Sequence, residues 1–353
     1  MRILVTGAAG YIGSHATNAL LDAGFDVVGF DNLSTGFRAA VPAKVKFIEG
    51  DIRNTDRLTK ALVENNVAAV LHFAAKLKVP ESISKPLDYY DNNISGTISL
   101  IQACKNANVD KIIFSSTAAV YGSGNGHTGM VTEDAVICPI NPYGSSKHVA
   151  EMILRDSETA HGIKSVILRY FNVAGAALNG KNGQRTADAS HLIKVACEAA
   201  TGKRQQVAVF GTDYPTVDGS GVRDYIHVED LVDAHILALQ YLLKGGTSQV
   251  LNCGYGTGYS VLQVLDTVQK VSGNNFAITS HARRHGDAAH LVADSTKLRN
   301  LLGWTPKRNN LDLICKTSLD WEKKQTLATT IAPRKWRFEK GFFLPPKPQP
   351  SGL

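Results

Sequence analysis

The sequence predicts an α/β protein built on a doubly wound parallel sheet, with a smaller C-terminal domain. In the first half of the chain, short apolar segments of strand length alternate with longer segments of helical periodicity. The first apolar segment leads directly into a glycine loop that opens a helix. After residue 172 the alternation stops, and segments rich in Gly, Asn and Asp replace it. Because strands that alternate with helices form right-handed βαβ units, the strands should be parallel.

The individual strands and helices follow from the same pattern. The predicted strands are residues 2–7, 26–31, 45–51, 68–74, 110–116 and 165–171. The predicted helices lie near 12–23, 55–65, 94–107 and 143–161. A later helix and strand within 226–256 are expected to return to the main sheet.

A glycine loop follows the first predicted strand. The sequence GAAGYIG occupies residues 7–13, between that strand and the first helix. Gly7 allows a tight turn, Gly10 lets the backbone approach a pyrophosphate, and Gly13 permits close packing of helix on strand. This order of strand, loop and helix predicts a dinucleotide site.

An acidic residue ends the second predicted strand. Asp31 lies eighteen residues after Gly13. Its carboxylate can accept hydrogen bonds from the ribose hydroxyls of NAD, and it would repel the 2′-phosphate of NADP. Asp51, after the third strand, is expected at the adenine edge. The alternative is that Asp31 only caps a turn. The combined pattern favours NAD as the cofactor.

A tyrosine and a lysine lie one turn apart at the start of the predicted helix 143–161. Tyr143 and Lys147 have the i, i+4 spacing that places two side chains on one helix face. A free tyrosine has a pKa near 10, which makes it a poor base at neutral pH. A neighbouring ammonium and the positive nicotinamide ring favour the phenolate. The alternative is an exposed pair of side chains without a catalytic role.

The glycine spacing and the YxxxK pair together resemble the extended short-chain dehydrogenase/reductases, whose sheet is of the Rossmann type. In that family the tyrosine is the acid/base, and the lysine anchors the nicotinamide ribose. The resemblance therefore implies these roles for Tyr143 and Lys147. It also implies that Thr117, in the segment FSSTAAVYG, bonds the substrate oxygen and relays its proton.

Two alanines restrict the expected reaction. Relatives that dehydrate or decarboxylate nucleotide sugars carry acidic residues where this chain has Ala118 and Ala119. Landmarks such as DNLSTG, NPYGSSK and LRYFNVAGA, spread over residues 1–323, resemble the family's UDP-sugar epimerases. The resemblance implies NAD-dependent inversion at C4 of a UDP-hexose, with UDP-galactose and UDP-glucose as the expected pair. The alternatives are an epimerase of UDP-N-acetylhexosamines or other UDP-sugars, a dehydratase, and a cofactor-sensing regulator on an inactive scaffold.

The resemblance also implies two sets of binding residues. Those expected to contact the cofactor are Gly7, Gly10, Tyr11, Ile12, Gly13, Asp31, Asn32, Asp51, Ile52, Phe73, Ala74, Ala75, Asn92, Tyr143, Lys147 and Phe171. Those expected to contact the substrate are Thr117, Tyr143, Asn172, His191, Leu192, Phe210, Arg223, Arg284, Asp287 and Leu291. The two arginines are assigned to the diphosphate, and Leu291 to the wall beside the sugar.

Some of these assignments have simpler alternatives. Arg223 could form a surface ion pair with the adjacent Asp224, and Leu291 could pack the domain core. His191 stands where some relatives have Asn in the uracil pocket. Relatives often have a lysine near the cofactor shortly after the segment HFA, where this chain reads Ala75-Lys76-Leu77-Lys78.

The patterns divide the chain into three parts. Residues 1–172, joined by 226–256, form the predicted NAD-binding domain, and residues 173–225 and 257–325 form the predicted substrate domain. Residues 326–353 form a basic, proline-rich tail that is expected to be poorly structured. Since much of the net charge of +7 lies in this tail, the sequence does not predict a nucleic-acid surface.

Composition limits the remaining possibilities. No apolar segment approaches the roughly 20 residues that span a bilayer, so no membrane insertion is expected. The five cysteines are scattered without a CxxC motif, which predicts reduced cytoplasmic thiols and no zinc site. The histidines lack paired ligand spacing, so no metal is expected. The family resemblance implies a homodimer through the helices near 94–107 and 143–161.

Overall fold

The fold is centred on a seven-stranded parallel sheet in the order β10-β6-β5-β4-β1-β2-β3. This computed structural model describes residues 1–123, 129–186, 188–284, 287–331, 337–339 and 342–344. The sheet strands are β1 (Arg2–Thr6), β2 (Asp26–Asp31), β3 (Lys46–Glu49), β4 (Val67–His72), β5 (Lys111–Thr117), β6 (Lys164–Tyr170) and β10 (Gln249–Cys253). The predicted doubly wound α/β class is confirmed.

Helices cover both faces of this sheet. Those of its first half are α1 (Tyr11–Asp22), α2 (Thr55–Glu64), α3 (Val79–Ser84), α4 (Pro86–Tyr90), α5 (Gly96–Asn106) and α6 (Pro142–His161). A π-helical segment, Asp91–Ser95, leads into α5. Alternate residues of β1 enter different cores, with Ile3 and Val5 on one face and Leu4 on the other. The sheet is therefore buried on both sides, as a parallel sheet requires.

The second half of the chain adds smaller sheets beside the large one. Their strands are β7 (Asn172–Ala174), β8 (Gln206–Phe210), β9 (Val222–His227), β11 (Gly258–Ser260), β12 (Ala277–His281) and β13 (His290–Leu291). The accompanying helices are α7 (Leu192–Ala200), α8 (Val228–Leu243), α9 (Val261–Ser272), α10 (Thr296–Leu302) and α11 (Leu311–Ile331). Strand β9 pairs with β7, β11 and β13, and β8 pairs with β12.

The predicted return of a later segment to the main sheet is confirmed. Helix α8 is followed by β10, which pairs in parallel with β6 from Gln249 opposite Val166 to Cys253 opposite Tyr170. The exact division of the chain into an NAD-binding and a substrate domain stays a prediction.

The C-terminal segment contains more regular structure than predicted. Helix α11 continues through the predicted boundary at 326 to Ile331, and Arg337–Glu339 pairs antiparallel with Phe342–Leu344. The expectation of a poorly structured tail is therefore wrong for these residues, and the rest of it lies outside the described residues.

Two further expectations concern the whole chain. All five cysteines are free thiols, and only Cys138 is exposed. In the described part of the chain, no helix has the length and apolar character needed to cross a membrane.

Candidate active site

The glycine loop lies where the strand order of the sheet reverses, between β1 and β4. Ligands of doubly wound folds bind at the carboxyl ends of the strands at this switch point. Gly7 has a positive φ of 70°, and a Cβ there would lie 2.7 Å from the backbone nitrogen of Ala74 after β4. A Cβ on Gly13 would overlap the carbonyl oxygen of Gly7. Only glycine therefore allows this approach of strand, loop and helix.

The start of α1 leaves backbone donors for an anion. Gly10 is the N-cap of this 12-residue helix and supplies no side-chain cap. The first amides of a helix lack intrahelical partners, so those around Tyr11 and Ile12 are suited to a pyrophosphate. The Tyr11 hydroxyl itself donates to the carbonyl oxygen of Gly175 at 2.6 Å. Any contact of Tyr11 with a cofactor would therefore come from its backbone.

Asp31 ends β2 and reaches under the glycine loop. Its two carboxylate oxygens accept hydrogen bonds from the backbone N–H groups of Ala9 at 3.0 Å and Leu33 at 2.8 Å. Burial raises the pKa of Asp31, and the two amides oppose that effect. Asp31 therefore caps the turn after β2, which is the simpler role considered for it in the sequence analysis. Each oxygen retains a lone pair, however, so a ribose contact is compatible with this role.

Asp51 is already paired on the next loop. Arg53 lies 2.8 Å from its carboxylate and also pairs with Asp91. Hydrogen bonding from Arg53 holds the pKa of Asp51 well below its usual range. Asn32 donates to the same carboxylate at 3.1 Å, while Ile52 is buried against Gly96. These groups fix the loop beyond β2 and β3, and their contact with adenine stays a prediction.

The segment after β4 lies against the glycine loop. The amide of Ala74 donates to the Thr6 hydroxyl at 3.4 Å, and the Phe73 ring lies 4.8 Å from that of His235 between centroids. Ala75 follows and is partly buried. Lys76 does not point into the site, because its ammonium lies 3.3 Å from Asp88 at the surface.

Asn92 lies on the π-helical segment that faces this loop. Its side-chain amide donates to Asn93 at 3.0 Å. Asn93 in turn accepts from the Lys76 amide at 2.8 Å and donates to the Ser146 hydroxyl at 2.9 Å. The π-helical turn thereby joins the segment after β4 to α6. Its hydrogen bonds are a contribution that the sequence reasoning missed.

Thr117 and Tyr143 meet at the end of β5. Thr117 is the last residue of this strand, and its hydroxyl accepts from the Ala119 amide at 3.1 Å. Asn141 caps α6 by accepting from the Gly144 amide at 2.9 Å, which places Tyr143 in the first turn. Burial raises the pKa of Tyr143, and a hydrogen bond with Thr117 opposes that effect. The two residues predicted to handle the proton therefore lie together.

Lys147 is held one turn further along α6. Its ammonium donates to the carbonyl oxygen of Ser115 at 2.8 Å and lies 4.8 Å from the centre of the Phe114 ring. The residue is only 3% exposed. Burial lowers the pKa of Lys147 to about 7, and the carboxylate of Glu151 opposes that effect.

A buried ion pair between Glu151 and Arg169 lies one helical turn beyond Lys147. Glu151 is fully buried and accepts two hydrogen bonds from Arg169, at 3.0 and 2.6 Å. It also accepts from the Ser116 hydroxyl at 2.5 Å. Arg169 continues to the Tyr121 hydroxyl at 3.0 Å, which donates to Asn252 at 2.7 Å. The sequence reasoning missed this network, although an arginine inside an otherwise apolar strand was a usable signal.

Three of the residues expected to contact the substrate line a small cavity of about 20 Å³. Asn172 on β7, together with His191 and Leu192 at the start of α7, lines it. A nitrogen of His191 lies 3.1 Å from the side-chain amide of Gln184. Burial lowers the pKa of His191, which keeps the imidazole neutral.

The two arginines expected at the diphosphate lie near the start of β9 and shortly after β12. The Arg284 guanidinium lies 3.7 Å from the centre of the Phe210 ring, and Asp287 donates its amide to the carbonyl of Arg284 at 3.2 Å. Arg223 donates to the carbonyl of Val222 at 2.8 Å.

The alternative of a surface ion pair between Arg223 and Asp224 is wrong. Asp224 is fully buried. It accepts hydrogen bonds from the amides of Tyr255, Gly256 and Ala293, at 3.0, 2.9 and 3.3 Å. Adjacent residues of a strand point to opposite faces, so the two side chains separate.

Leu291, which is expected at the wall beside the sugar, lies on β13. It pairs with Arg223 across β13 and β9, and it is 9% exposed. Its apolar cluster also contains Phe171, which follows β6, and Ala118, which follows Thr117. Leu291 therefore packs in a core cluster, and that cluster borders the catalytic strand end.

The fold and this site define a dinucleotide-dependent enzyme, with a glycine loop at the switch point of the sheet and a threonine, a tyrosine and a lysine at the end of β5. The family model described as "NAD dependent epimerase/dehydratase family" matches residues 3–254. The chain belongs to this family. Within the described residues, no group of His, Cys, Asp or Glu could hold a metal ion.

Several known proteins are similar over nearly the whole chain. UDP-glucose 4-epimerase of Azospirillum brasilense is 52% identical over 334 residues, which cover 94% of this chain and 95% of that relative. The structure of UDP-glucose 4-epimerase from Bifidobacterium longum in complex with NAD+ and UDP is 37% identical, with a TM-score of 0.86 and coverage of 92% and 99%. The UDP-Glc/GlcNAc 4-epimerase from Campylobacter jejuni is 45% identical, with a TM-score of 0.80 and coverage of 92% and 99%.

Proposed function

We propose that this protein is an NAD-dependent 4-epimerase that interconverts UDP-galactose and UDP-glucose. The observation that carries this function is the meeting of Thr117 and Tyr143 above a buried Lys147, with alanines at 118 and 119. Thr117 and Tyr143 can move one hydroxyl proton. No second acidic side chain is available beside them, because residues 118 and 119 are alanines. Inversion at a single carbinol carbon needs no more than that.

The residues present fit NAD. The cradle at Gly7 would be filled by any Cβ, and the uncapped start of α1 offers amides to a pyrophosphate. Asp31, at the end of β2, offers carboxylate lone pairs to a ribose and disfavours a 2′-phosphate. Bound NAD would supply the hydride acceptor and donor for C4 of the sugar.

The protein's own residues move the proton. Tyr143, as phenolate, accepts the proton of the sugar 4-hydroxyl, and Thr117 bonds the same oxygen and relays the proton. Burial raises the pKa of Tyr143, and the hydrogen bond with Thr117 opposes that effect. We assign to the Lys147 ammonium the further role of favouring the phenolate, because a nearby positive charge stabilises a phenolate. After the 4-keto sugar has turned over, Tyr143 returns the proton to the oxygen on the opposite face.

The substrate must be held at its nucleotide while the hexose turns. Arg223 and Arg284 bind the diphosphate, since planar guanidinium groups match phosphate oxygens. The remaining pocket residues are Asn172, His191, Leu192, Phe210 and Asp287. Leu291 borders the sugar, where its size decides which hexoses can turn. Because the nucleotide is held tightly and the hexose loosely, either face of C4 can be turned toward the cofactor in the same site.

Acceptance of UDP-N-acetylglucosamine is a second candidate activity. Leu291 is shorter than an aromatic residue and leaves more room beside the sugar. One similar structure carries both glucose and N-acetylglucosamine in its printed name. We expect this activity to be slower than that on UDP-galactose.

We infer that the protein forms a homodimer in the cytoplasm. Apolar side chains are exposed on three neighbouring helices, with Leu87 on α4 78% exposed and Ile98 on α5 and Met152 on α6 each 47% exposed. A second copy packed against α5 and α6 would cover them. The five free thiols suit a reducing compartment.

The test is incubation of the purified protein with UDP-galactose, without added NAD. Formation of UDP-glucose supports both the reaction and the retention of the cofactor. UDP-N-acetylglucosamine, assayed in parallel, tests the second activity. Absence of any conversion by protein that carries NAD would contradict the proposed function.

A further inference from the structure

A buried tyrosine hydroxyl lies in the loop between β8 and β9. Tyr214 is 7% exposed, and its hydroxyl has no hydrogen-bond partner among the described residues. Buried hydroxyl groups are nearly always hydrogen-bonded in folded proteins, so an orphan of this kind indicates a missing partner. None of the roles assigned above uses Tyr214.

The ring of Tyr214 lies beside the proposed diphosphate site. The Arg283 guanidinium lies 4.2 Å from the centre of the Tyr214 ring, and the next residue, Arg284, lies 3.7 Å from the Phe210 ring. Strands β8 and β12 place Phe210 opposite His281, just before the two arginines. Two consecutive arginines therefore stack on the rings of Tyr214 and Phe210.

The loop backbone fixes the position of this ring. A Cβ added to Gly211 would lie 2.5 Å from the ring of Tyr214, so the ring presses directly on the residue after Phe210. The Tyr214 amide donates to the carbonyl of Gly219 at 2.9 Å. Arg283 also bonds Asp213 at 2.7 Å. The hydroxyl is consequently held in place before any ligand arrives.

The charged groups around Tyr214 include two of the proposed substrate residues. Burial raises the pKa of Tyr214, and the nearby charges that act on it belong to Asp287, Arg223, Arg283 and Asp213. The phenol is therefore protonated at neutral pH and acts as a hydrogen-bond donor. A donor near the positive charges of Arg223 and Arg283 is suited to an anionic ligand.

We propose that the Tyr214 hydroxyl donates a hydrogen bond to the diphosphate of the bound UDP-sugar, beside Arg223 and Arg284. This inference rests on the proposed function, since it assigns a further residue to the same nucleotide. This hydrogen bond takes no part in the chemical steps. It is a positioning contact that anchors the nucleotide while the hexose turns. It also gives the orphan hydroxyl its partner.

The test compares binding of UDP and of uridine to the purified holoenzyme by calorimetry. Tyr214→Phe keeps the ring and its contact with Arg283, and removes only the hydroxyl. We expect about tenfold weaker binding of UDP and unchanged binding of uridine, because a hydrogen bond to a charged group contributes at least this much. Tyr241→Phe is the matched control, since the Tyr241 hydroxyl bonds Thr247 at the far end of α8.

A second variant distinguishes an effect of the Tyr214 hydroxyl on UDP binding from an effect of the loop conformation. Asp213→Asn breaks the ion pair with Arg283 but keeps the Tyr214 hydroxyl, and it should change UDP binding less than twofold. Unchanged UDP binding by Tyr214→Phe would overturn the inference, as would equal losses for UDP and uridine or an equal loss in Asp213→Asn. Tight UDP binding by the wild type without turnover of UDP-galactose would instead count against the proposed function.

Discussion

The ammonium of Lys147 donates a hydrogen bond to the backbone carbonyl of Ser115, two residues before Thr117 on the same strand. The end of β5 thus holds the lysine and presents the threonine hydroxyl. Burial lowers the pKa of Lys147 to about 7, and Glu151, one turn further along α6, opposes that effect. The proposed reaction needs Lys147 in its charged form. The Glu151 carboxylate favours that form, so Glu151 contributes to the proposed catalytic site.

Tyr143→Phe should leave the fold and the bound NAD intact and lower kcat by two to four orders of magnitude. Loss of a general acid/base typically costs about 10²–10⁴ in rate. The measurement is kcat with UDP-galactose, together with cofactor absorbance and the melting temperature. Tyr241→Phe serves as control. A Tyr143→Phe rate near that of the wild type would remove the assignment of this residue as acid/base.

Asp31→Ala should reduce the amount of NAD that is retained on purification and narrow the preference for NAD over NADP. The variant removes the proposed ribose acceptor and its repulsion of a 2′-phosphate. Because Asp31 also accepts from the Ala9 and Leu33 amides, some loss of stability should accompany it. The measurement is the cofactor content per protomer.

Asp31→Asn controls for the turn, since its amide oxygen can still accept one of those backbone bonds. It should therefore be more stable than Asp31→Ala but bind NAD less well than the wild type. Cofactor content equal to that of the wild type in both variants would contradict the ribose contact.

The sequence was sufficient for the parts of the site that depend on local pattern. The period of apolar residues identified six strands of the main sheet, and GAAGYIG identified the loop at the switch point. The i, i+4 spacing placed Tyr143 and Lys147 on one helix. These features need only neighbouring residues and the regular geometry of helices and strands.

The contacts that join distant segments were not predicted. Tyr11 bonds a carbonyl 164 residues away. Arg284 is stacked on Phe210, and the Glu151 carboxylate bonds Arg169 on another strand. Such pairs follow from tertiary packing, which brings together residues that no local pattern relates. The same limit explains why Tyr214 was overlooked, because the burial of its hydroxyl depends on strands β8 and β12.

Glu151→Gln should lower the free energy of unfolding by about 3–5 kcal/mol, since it leaves the Arg169 charge buried without its partner. The measurement is urea unfolding of the NAD-bound protein. Asp156→Asn, an exposed change on the same helix, is the control and should stay within about 0.5 kcal/mol of the wild type. Equal stability of both variants would show that the ion pair does not support the site.

Leu291→Tyr should remove activity on UDP-N-acetylglucosamine and largely spare activity on UDP-galactose. A tyrosine would crowd a 2-acetamido group while leaving room for the smaller hydroxyl. The measurement is kcat/KM for both substrates in wild type and variant. Because Leu291 is packed with Phe171 and Ala118, a purely structural role is the competing possibility, and it would appear as equal losses on both substrates.

The central claim is that the hydrogen on C4 leaves the sugar and returns to the other face of the same carbon. UDP-galactose that carries deuterium at C4 tests it most directly, with the product analysed by mass spectrometry and NMR in ordinary water. The account predicts UDP-glucose with the deuterium retained at C4, because the hydride stays on the bound cofactor while the sugar turns. UDP-glucose that has exchanged this deuterium for solvent hydrogen would contradict it.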